Sequence, residues 1–203
     1  MRNPSKMLRW RKLMSTGTRR WLAGGLLAVS GSAFGFFWGG GNEHAVLPAT
    51  GTVEAAFTPG DDAAGLIIGA IGQAQREVLV QAFSFTHRGI ASALIAARKR
   101  GVAVKVIADR EQTERMERGK VAWMADAGVP VWLDGEHQSA HNKVMVIDAG
   151  SPSAVLVTGS YNFTDAAQYK NAENLLLLRG NDKLIKLYRD NWNVHLAHAR
   201  LYR

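Results

Sequence analysis

Residues 140–174, AHNKVMVIDAGSPSAVLVTGSYNFTDAAQYKNAEN, hold two apolar runs rich in β-branched residues, 144–147 and 154–158, joined across the turn-forming Gly150-Ser151-Pro152-Ser153. A β-hairpin is implied. Around it, polar residues fall at fixed places: His141, Lys143 and Asp148 in the order H-x-K-x4-D, then Gly159, Ser160 and Asn162 as G-S-x-N. If the first strand starts at His141, then His141, Lys143 and Met145 share a face, and imidazole and ammonium lie about 7 Å apart at a rise of roughly 3.3 Å per residue. A phosphate can bridge that spacing. Gly159 allows a tight backbone turn, after which Ser160 and Asn162 project hydroxyl and amide donors toward the same phosphate. Glu173 opens a further apolar strand, 174–179. Its carboxylate is placed to accept the Nδ1 proton of His141 and leave Nε2 free to attack.

Upstream, the pattern alternates between strands and helices. Residues 52–57 read as a strand, 61–75 as a helix capped by Asp61, and 77–83 as a second strand. A helix over 90–100 is ended by Gly101, a strand follows over 102–108, a helix over 111–127, and a short strand over 129–133 before the Asp134-Gly135 turn. The last helix, 182–200, presents Leu184, Leu187, Tyr188, Trp192 and Leu196 as a core or dimer face. This order predicts an α/β fold, an α/β/α sandwich around a mixed β-sheet. There is no internal repeat.

The net charge of +8 suggests a polyanionic partner until its location is examined. Of the 25 basic residues, Arg2, Lys6, Arg9, Arg11, Lys12, Arg19 and Arg20 lie in residues 1–40, which hold no acid; the 18 left, against 17 acidic residues, give the remainder only +1. The basicity therefore says little about a nucleic-acid substrate. After the basic stretch, residues 21–41 carry no charge. Residues 1–38 read either as an export signal cleaved after Ala33 or as an anchor over 21–38, with Arg19-Arg20 resembling a twin-arginine signal. Residues 39–51 read as a Gly/Pro-containing linker, and 52–203 as the catalytic domain. The positive flank predicts a domain outside the cytoplasm, periplasmic or held at the inner membrane. The absence of cysteine excludes disulfides and thiolate chemistry.

With these motifs in view, residues from about 52 onward resemble the single-motif bacterial branch of the phospholipase D superfamily, which contains small endonucleases and is similar to the mitochondrial cardiolipin hydrolase. Residues 82–110, AFSFTHRGIASALIAARKRGVAVKVIADR, and 159–178 carry the resemblance beyond the motif. It implies a phosphodiesterase needing neither cofactor nor metal, in which His141 attacks phosphorus and forms a phosphohistidine. Lys143, Ser160 and Asn162 would bind the non-bridging oxygens, with His141, Lys143, Asn162 and Glu173 as the catalytic set. Because the family's chemistry uses two motifs and this chain has one, the resemblance also implies a homodimer whose second His141 protonates the leaving oxygen. The chain departs from the family in its longer connection of ten residues, 149–158, between Asp148 and Gly159. An even insertion keeps strand parity, so the rim of the site is affected more than its chemistry.

Other polar residues receive plainer readings. Asp148, at a strand end, is expected to brace the hairpin, and Gly159 is expected to be structural. His137 reads as a solvated loop residue. His44, His87, His195 and His198 show no spacing on one element that suggests zinc. Glu111 with Arg115 and Glu114 with Arg118 are spaced as ion pairs on a solvated helix, and Lys170 is a candidate substrate-facing cation. Three functions stay open: a nonspecific endonuclease on DNA or RNA, a phospholipase D or cardiolipin hydrolase favoured by a membrane anchor, and a catalytically inactive nucleic-acid-binding protein.

Overall fold

Val78, Val80 and Ala82 belong to one buried cluster and Leu79 to another, because successive side chains of a strand face opposite sides of the sheet. Both faces of the strand are therefore covered. The computed structural model describes residues 44–116 and 119–203, and Ala45–Arg203 forms a compact unit. The elements run β1 (Thr52–Thr58), α1 (Ala63–Gln73), β2 (Glu77–Ala82), α2 (Arg88–Lys99), β3 (Ala103–Asp109), α3 (Arg110–Arg115), α4 (Val121–Asp126) and β4 (Val131–Asp134). They continue as β5 (Lys143–Ile147), β6 (Val155–Gly159), α5 (Asp165–Tyr169), β7 (Glu173–Arg179), α6 (Asp182–His198) and β8 (Arg200–Leu201).

The strands form one eight-stranded sheet in the order β1-β7-β6-β5-β2-β3-β4-β8. β2, β3 and β4 pair in parallel and the other pairings are antiparallel, so the sheet is mixed. On one face α1 and α2 contribute Ile67, Ile71, Ile90 and Leu94 to the larger core cluster. On the other, α6 packs Ile185 and Trp192 against Leu79, Ile107 and Val146. Trp192 is buried, and its indole N–H donates to the Val80 carbonyl at 2.9 Å. The expected α/β/α sandwich is present.

Several local expectations are corrected. The helix cap is Asp62, whose carboxylate accepts from Gly65 N at 2.8 Å, while Asp61 turns back to accept from Phe57 N. The single helix expected over 111–127 is divided into α3 and α4; between them Lys120 N donates to the Phe85 carbonyl, a bond that a continuous helix would exclude. Glu111 and Arg115 do pair, at 3.2 Å, whereas Arg118 lies outside the described residues. β8 was not expected and closes the sheet against β4. The expected linker is partly docked: Asn181 Nδ2 donates to the Pro48 carbonyl and Thr50 Oγ1 to that of Gly180. The leader readings over 1–38, including cleavage after Ala33 and an anchor over 21–38, lie outside the described residues, and among those described no helix is long and apolar enough to cross a membrane.

Candidate active site

Because β2 and β3 run parallel while β5 and β7 are reversed by antiparallel pairing, one end of the sheet collects the C-termini of β2, β3 and β6 and the N-termini of β5 and β7. That end holds Phe83, Asp109, Lys143, Ser160 and Glu173. Ala82 pairs with Lys143, and continuing the Met145↔Val157 register by two residues sets Lys143 across from Gly159.

His141 precedes β5 rather than lying in it, and it is exposed. Its position is set by bonds on either side: Ala140 N donates to Asp109 Oδ2 at 2.8 Å, and Phe83 N donates to the Asn142 carbonyl at 2.9 Å. The imidazole packs on Phe83 with ring centroids 4.3 Å apart. Lys143 is buried, with Nζ donating to the His141 carbonyl at 2.7 Å and lying 4.8 Å from the Phe83 ring centroid. Burial pushes the ammonium down to about 8, opposed by the nearby Glu173 and Asp109 carboxylates. The site thus keeps a poorly solvated cation beside an accessible imidazole.

The expected contact between Glu173 and His141 is not formed among the described residues. Glu173 Oε2 accepts from Ser160 Oγ at 2.6 Å and Oε1 from Asn171 Nδ2 at 3.1 Å. Strand order explains this: β6 lies between β5 and β7, so the end of β6 is the nearer neighbour of Glu173. Ser160 Oγ also accepts from Asn174 N at 3.0 Å, so its hydroxyl proton is committed to Glu173 rather than free. Asn162 is different. Its Oδ1 is buried without a hydrogen-bond partner, so an acceptor is left unused there.

Gly159 has φ +149, and a Cβ there would stand 2.3 Å from the Asn174 carbonyl oxygen. Close approach of β7 therefore demands glycine. Asp148 sits at the other end of β5, away from His141. Buried and at φ 49, it accepts from Gln75 N, Arg76 N and Glu77 N at 2.9, 2.7 and 3.0 Å. Burial alone would raise its pKa, but these backbone donors outweigh it and hold the carboxyl below its ordinary value. It fastens the α1–β2 connection as well as its own hairpin.

Phe83 and Asp109 were missed from sequence, although Phe83 directly follows β2 and Asp109 ends β3 within the segment that carries the family resemblance. Asp109 also caps α3 through Gln112 N at 2.8 Å. Lys170 is the exposed C-cap of α5, and His87 caps α2 by accepting from Ile90 N. A correction concerns the remaining histidines: His137, His195 and His198 converge with Asp134, and their ligand atoms all lie within 4.8 Å of one another. These four residues could hold a metal ion. His195 and His198, three residues apart on α6, are the part of the set that spacing on one element could have signalled; Asp134 at the end of β4 and His137 on the following loop join them only through the fold.

A family model described as cardiolipin synthase, PLD-like domain, matches residues 67–195. Phospholipase D of Rickettsia typhi is 34% identical over 140 residues, 69% of this chain and 66% of that protein's own length, so the match spans just under two thirds of this relative. Mitochondrial cardiolipin hydrolase of Xenopus tropicalis is 32% identical over 52% of this chain and 48% of its own. Among solved structures, Nuc of Salmonella typhimurium, a phospholipase D family member, superposes with a TM-score of 0.70 at 32% identity, covering 76% of this chain and 99% of Nuc.

Proposed function

Since the chain belongs to the family of the PLD-like domain of cardiolipin synthase, within the phospholipase D superfamily, we propose that it is a metal-independent phosphodiesterase, acting as a nonspecific endonuclease on DNA or RNA. The observation that carries this reading is the buried Lys143 ammonium held beside the accessible His141 imidazole. His141 Nε2 attacks phosphorus; the P–N bond forms as the P–O bond to the leaving group breaks. The leaving oxygen takes a proton from His141 of a second copy. Water then attacks phosphorus as the P–N bond breaks, giving its proton to that second histidine and restoring both.

Charge on the non-bridging oxygens is met by the Lys143 ammonium and the Asn162 amide. Ser160 keeps its place in the site by holding Glu173, and Glu173 tunes Lys143 by its charge. A homodimer is required because one chain carries one such motif; Phe57 and Tyr169, 62% and 67% exposed, offer apolar surface on elements next to Glu173 for a second copy. Export to the periplasm, or tethering at the inner membrane, is supported by the basic and then uncharged residues of 1–41.

The endonuclease reading rests on the single-motif pattern of residues 141–162, and the likeness over 99% of Nuc, a phospholipase D family member, supports the phosphodiesterase fold on which it depends. The second reading, hydrolysis of cardiolipin or another phospholipid, is favoured by the Rickettsia phospholipase D relative. The test incubates the purified full chain with EDTA against plasmid DNA, RNA and cardiolipin vesicles, with His141→Asn as control. Nucleic-acid cleavage lost in the variant is expected. Lipid turnover alone would reverse the substrate assignment, and a requirement for added Mg²⁺ or Mn²⁺ would overturn the metal-independent reaction.

A further inference from the structure

Three imidazoles and one carboxylate outside the phosphodiesterase site form a set that hydrogen bonding accounts for only in part. Asp134 ends β4 on the α6 side of the sheet and is 1% exposed. Its Oδ2 lies 2.7 Å from His195 Nδ1 and 3.2 Å from His198 Nε2, while Oδ1 accepts from Glu136 N. His195 and His198 stand three residues apart on α6 and so share a face. Those contacts fasten the helix to β4 without any need for a third ring. Yet His137, on the loop after β4, has its ring centroid 5.3 Å from that of His195 and 5.4 Å from that of His198, and it makes no hydrogen bond among the described residues. An ion gives all four groups one role.

We infer that Asp134, His137, His195 and His198 bind a single divalent ion of the Zn²⁺ class, tying the loop that leads to His141 onto α6. Three imidazole nitrogens and one carboxylate oxygen, with no cysteine in the chain, are a donor set suited to zinc. Tetrahedral coordination at about 2.0–2.1 Å brings ligand atoms to roughly 3.4 Å of one another. Two pairs already stand that close, and the exposed His137 has to move by only about 1–1.5 Å from the present limit of 4.8 Å. Each coordinating nitrogen binds through its lone pair, so its ring carries the proton on the other nitrogen, and the ion takes the place of the present contacts with Oδ2.

The consequence follows from connectivity. Residues 135–142 join β4 to β5 and contain both His137 and His141. At its far end this loop is held by Asp109 through Ala140 N. An ion at His137 restrains the middle, fixing the approach to the site without entering its chemistry.

The test uses the untagged full chain, stripped with EDTA and dialysed, then titrated with ZnCl₂ calorimetrically and with Co²⁺ by visible absorption. One equivalent is expected to bind, with the Co²⁺ spectrum of a four-coordinate site. At a hundredfold excess over Kd, the melting temperature is expected to rise by about 5–10 °C. His137→Gln should weaken binding roughly tenfold or more while leaving the metal-free melting temperature unchanged. Amides of 135–142 should exchange hydrogen more slowly with Zn²⁺ present. No saturable uptake at sub-millimolar Zn²⁺, or equal affinity in His137→Gln, would overturn the site, and binding without loop protection would overturn the tie to α6. None of these readings depends on phosphodiesterase activity.

Discussion

Lys143→Met is expected to make the protein more stable and nearly inactive. Moving the ammonium from its ordinary value of 10.5 to about 8 costs the charged folded form roughly 3 kcal/mol, at about 1.4 kcal/mol per tenfold change. Methionine fills similar volume without that cost. It also loses the 2.7 Å bond from Nζ to the His141 carbonyl, worth about 1.5–2 kcal/mol for a charged donor, so the net gain is about 1–2 kcal/mol. In a domain of this size that raises the melting temperature by about 2–8 °C. The pH dependence isolates the cause. Between about 8 and 10.5 the unfolded chain binds the lysine proton and the folded one does not, so the wild type gains stability relative to the variant as pH rises through that window. Below about 8 both states carry the proton and the difference is constant. Paired thermal melts from pH 7 to 10 measure this, and turnover should fall by about 10²–10³ with the phosphate's cation gone. A variant less stable than wild type at pH 7, or a stability difference unchanged across the window, would refute the buried-cation account.

Other consequences follow from the same geometry. Because Lys143 is cationic below about 8, KM for a phosphodiester should rise as pH increases beyond that value, and a KM flat to pH 9.5 would contradict its role. Asp148→Asn keeps a residue that tolerates positive φ but removes the charge facing three backbone N–H groups, at a cost of about 2–3 kcal/mol in denaturant unfolding with kcat unchanged. Since its folded pKa is depressed, that stabilisation is present above its ordinary value of 3.8 and is lost as pH falls through the folded one. Gly159→Ala drives a methyl to 2.3 Å from the Asn174 carbonyl oxygen, so β7 must shift and activity should fall with stability; an unperturbed variant would show that the close approach is not obligatory. Asp109→Ala frees Ala140 N and should lower kcat more than it raises KM, with loop protection in hydrogen exchange reduced.

The hairpin was legible because its chemistry is local: two apolar runs around Gly150-Ser151-Pro152-Ser153 become β5 and β6, and the parity of the insertion leaves Met145 paired with Val157. The sandwich was legible because each helix and strand has its own period. Contacts between strands that are distant in sequence were less so. Glu173 meets Ser160 because β7 lies beside β6, and strand order is not encoded in spacing. Asp109 touches Ala140 across 31 residues, and Asp148 reaches the α1–β2 connection across more than 70. The Asp134 cluster was hidden for the same reason, as His137 and His195 are brought together only when α6 packs on the sheet. His137 is an exposed loop residue, as its sequence context implies; what that context does not show is that α6 brings His195 and His198 within 5.3–5.4 Å of its ring.

That cluster also changes how chelation should be interpreted. Loss of activity on EDTA treatment that Zn²⁺ restores, and that His137→Gln reproduces, reports the loop and α6. A requirement for Mg²⁺ in that variant would report the phosphodiester chemistry instead.

In the proposed reaction His141 becomes covalently attached to phosphorus during turnover. Rapid quenching of the EDTA-treated enzyme with a labelled phosphodiester, followed by peptide mass spectrometry, tests it most directly. An acid-labile phosphoramidate on the His141 peptide is predicted, absent from His141→Asn together with turnover. Undiminished turnover by His141→Asn, with no adduct on the wild-type peptide, would contradict it.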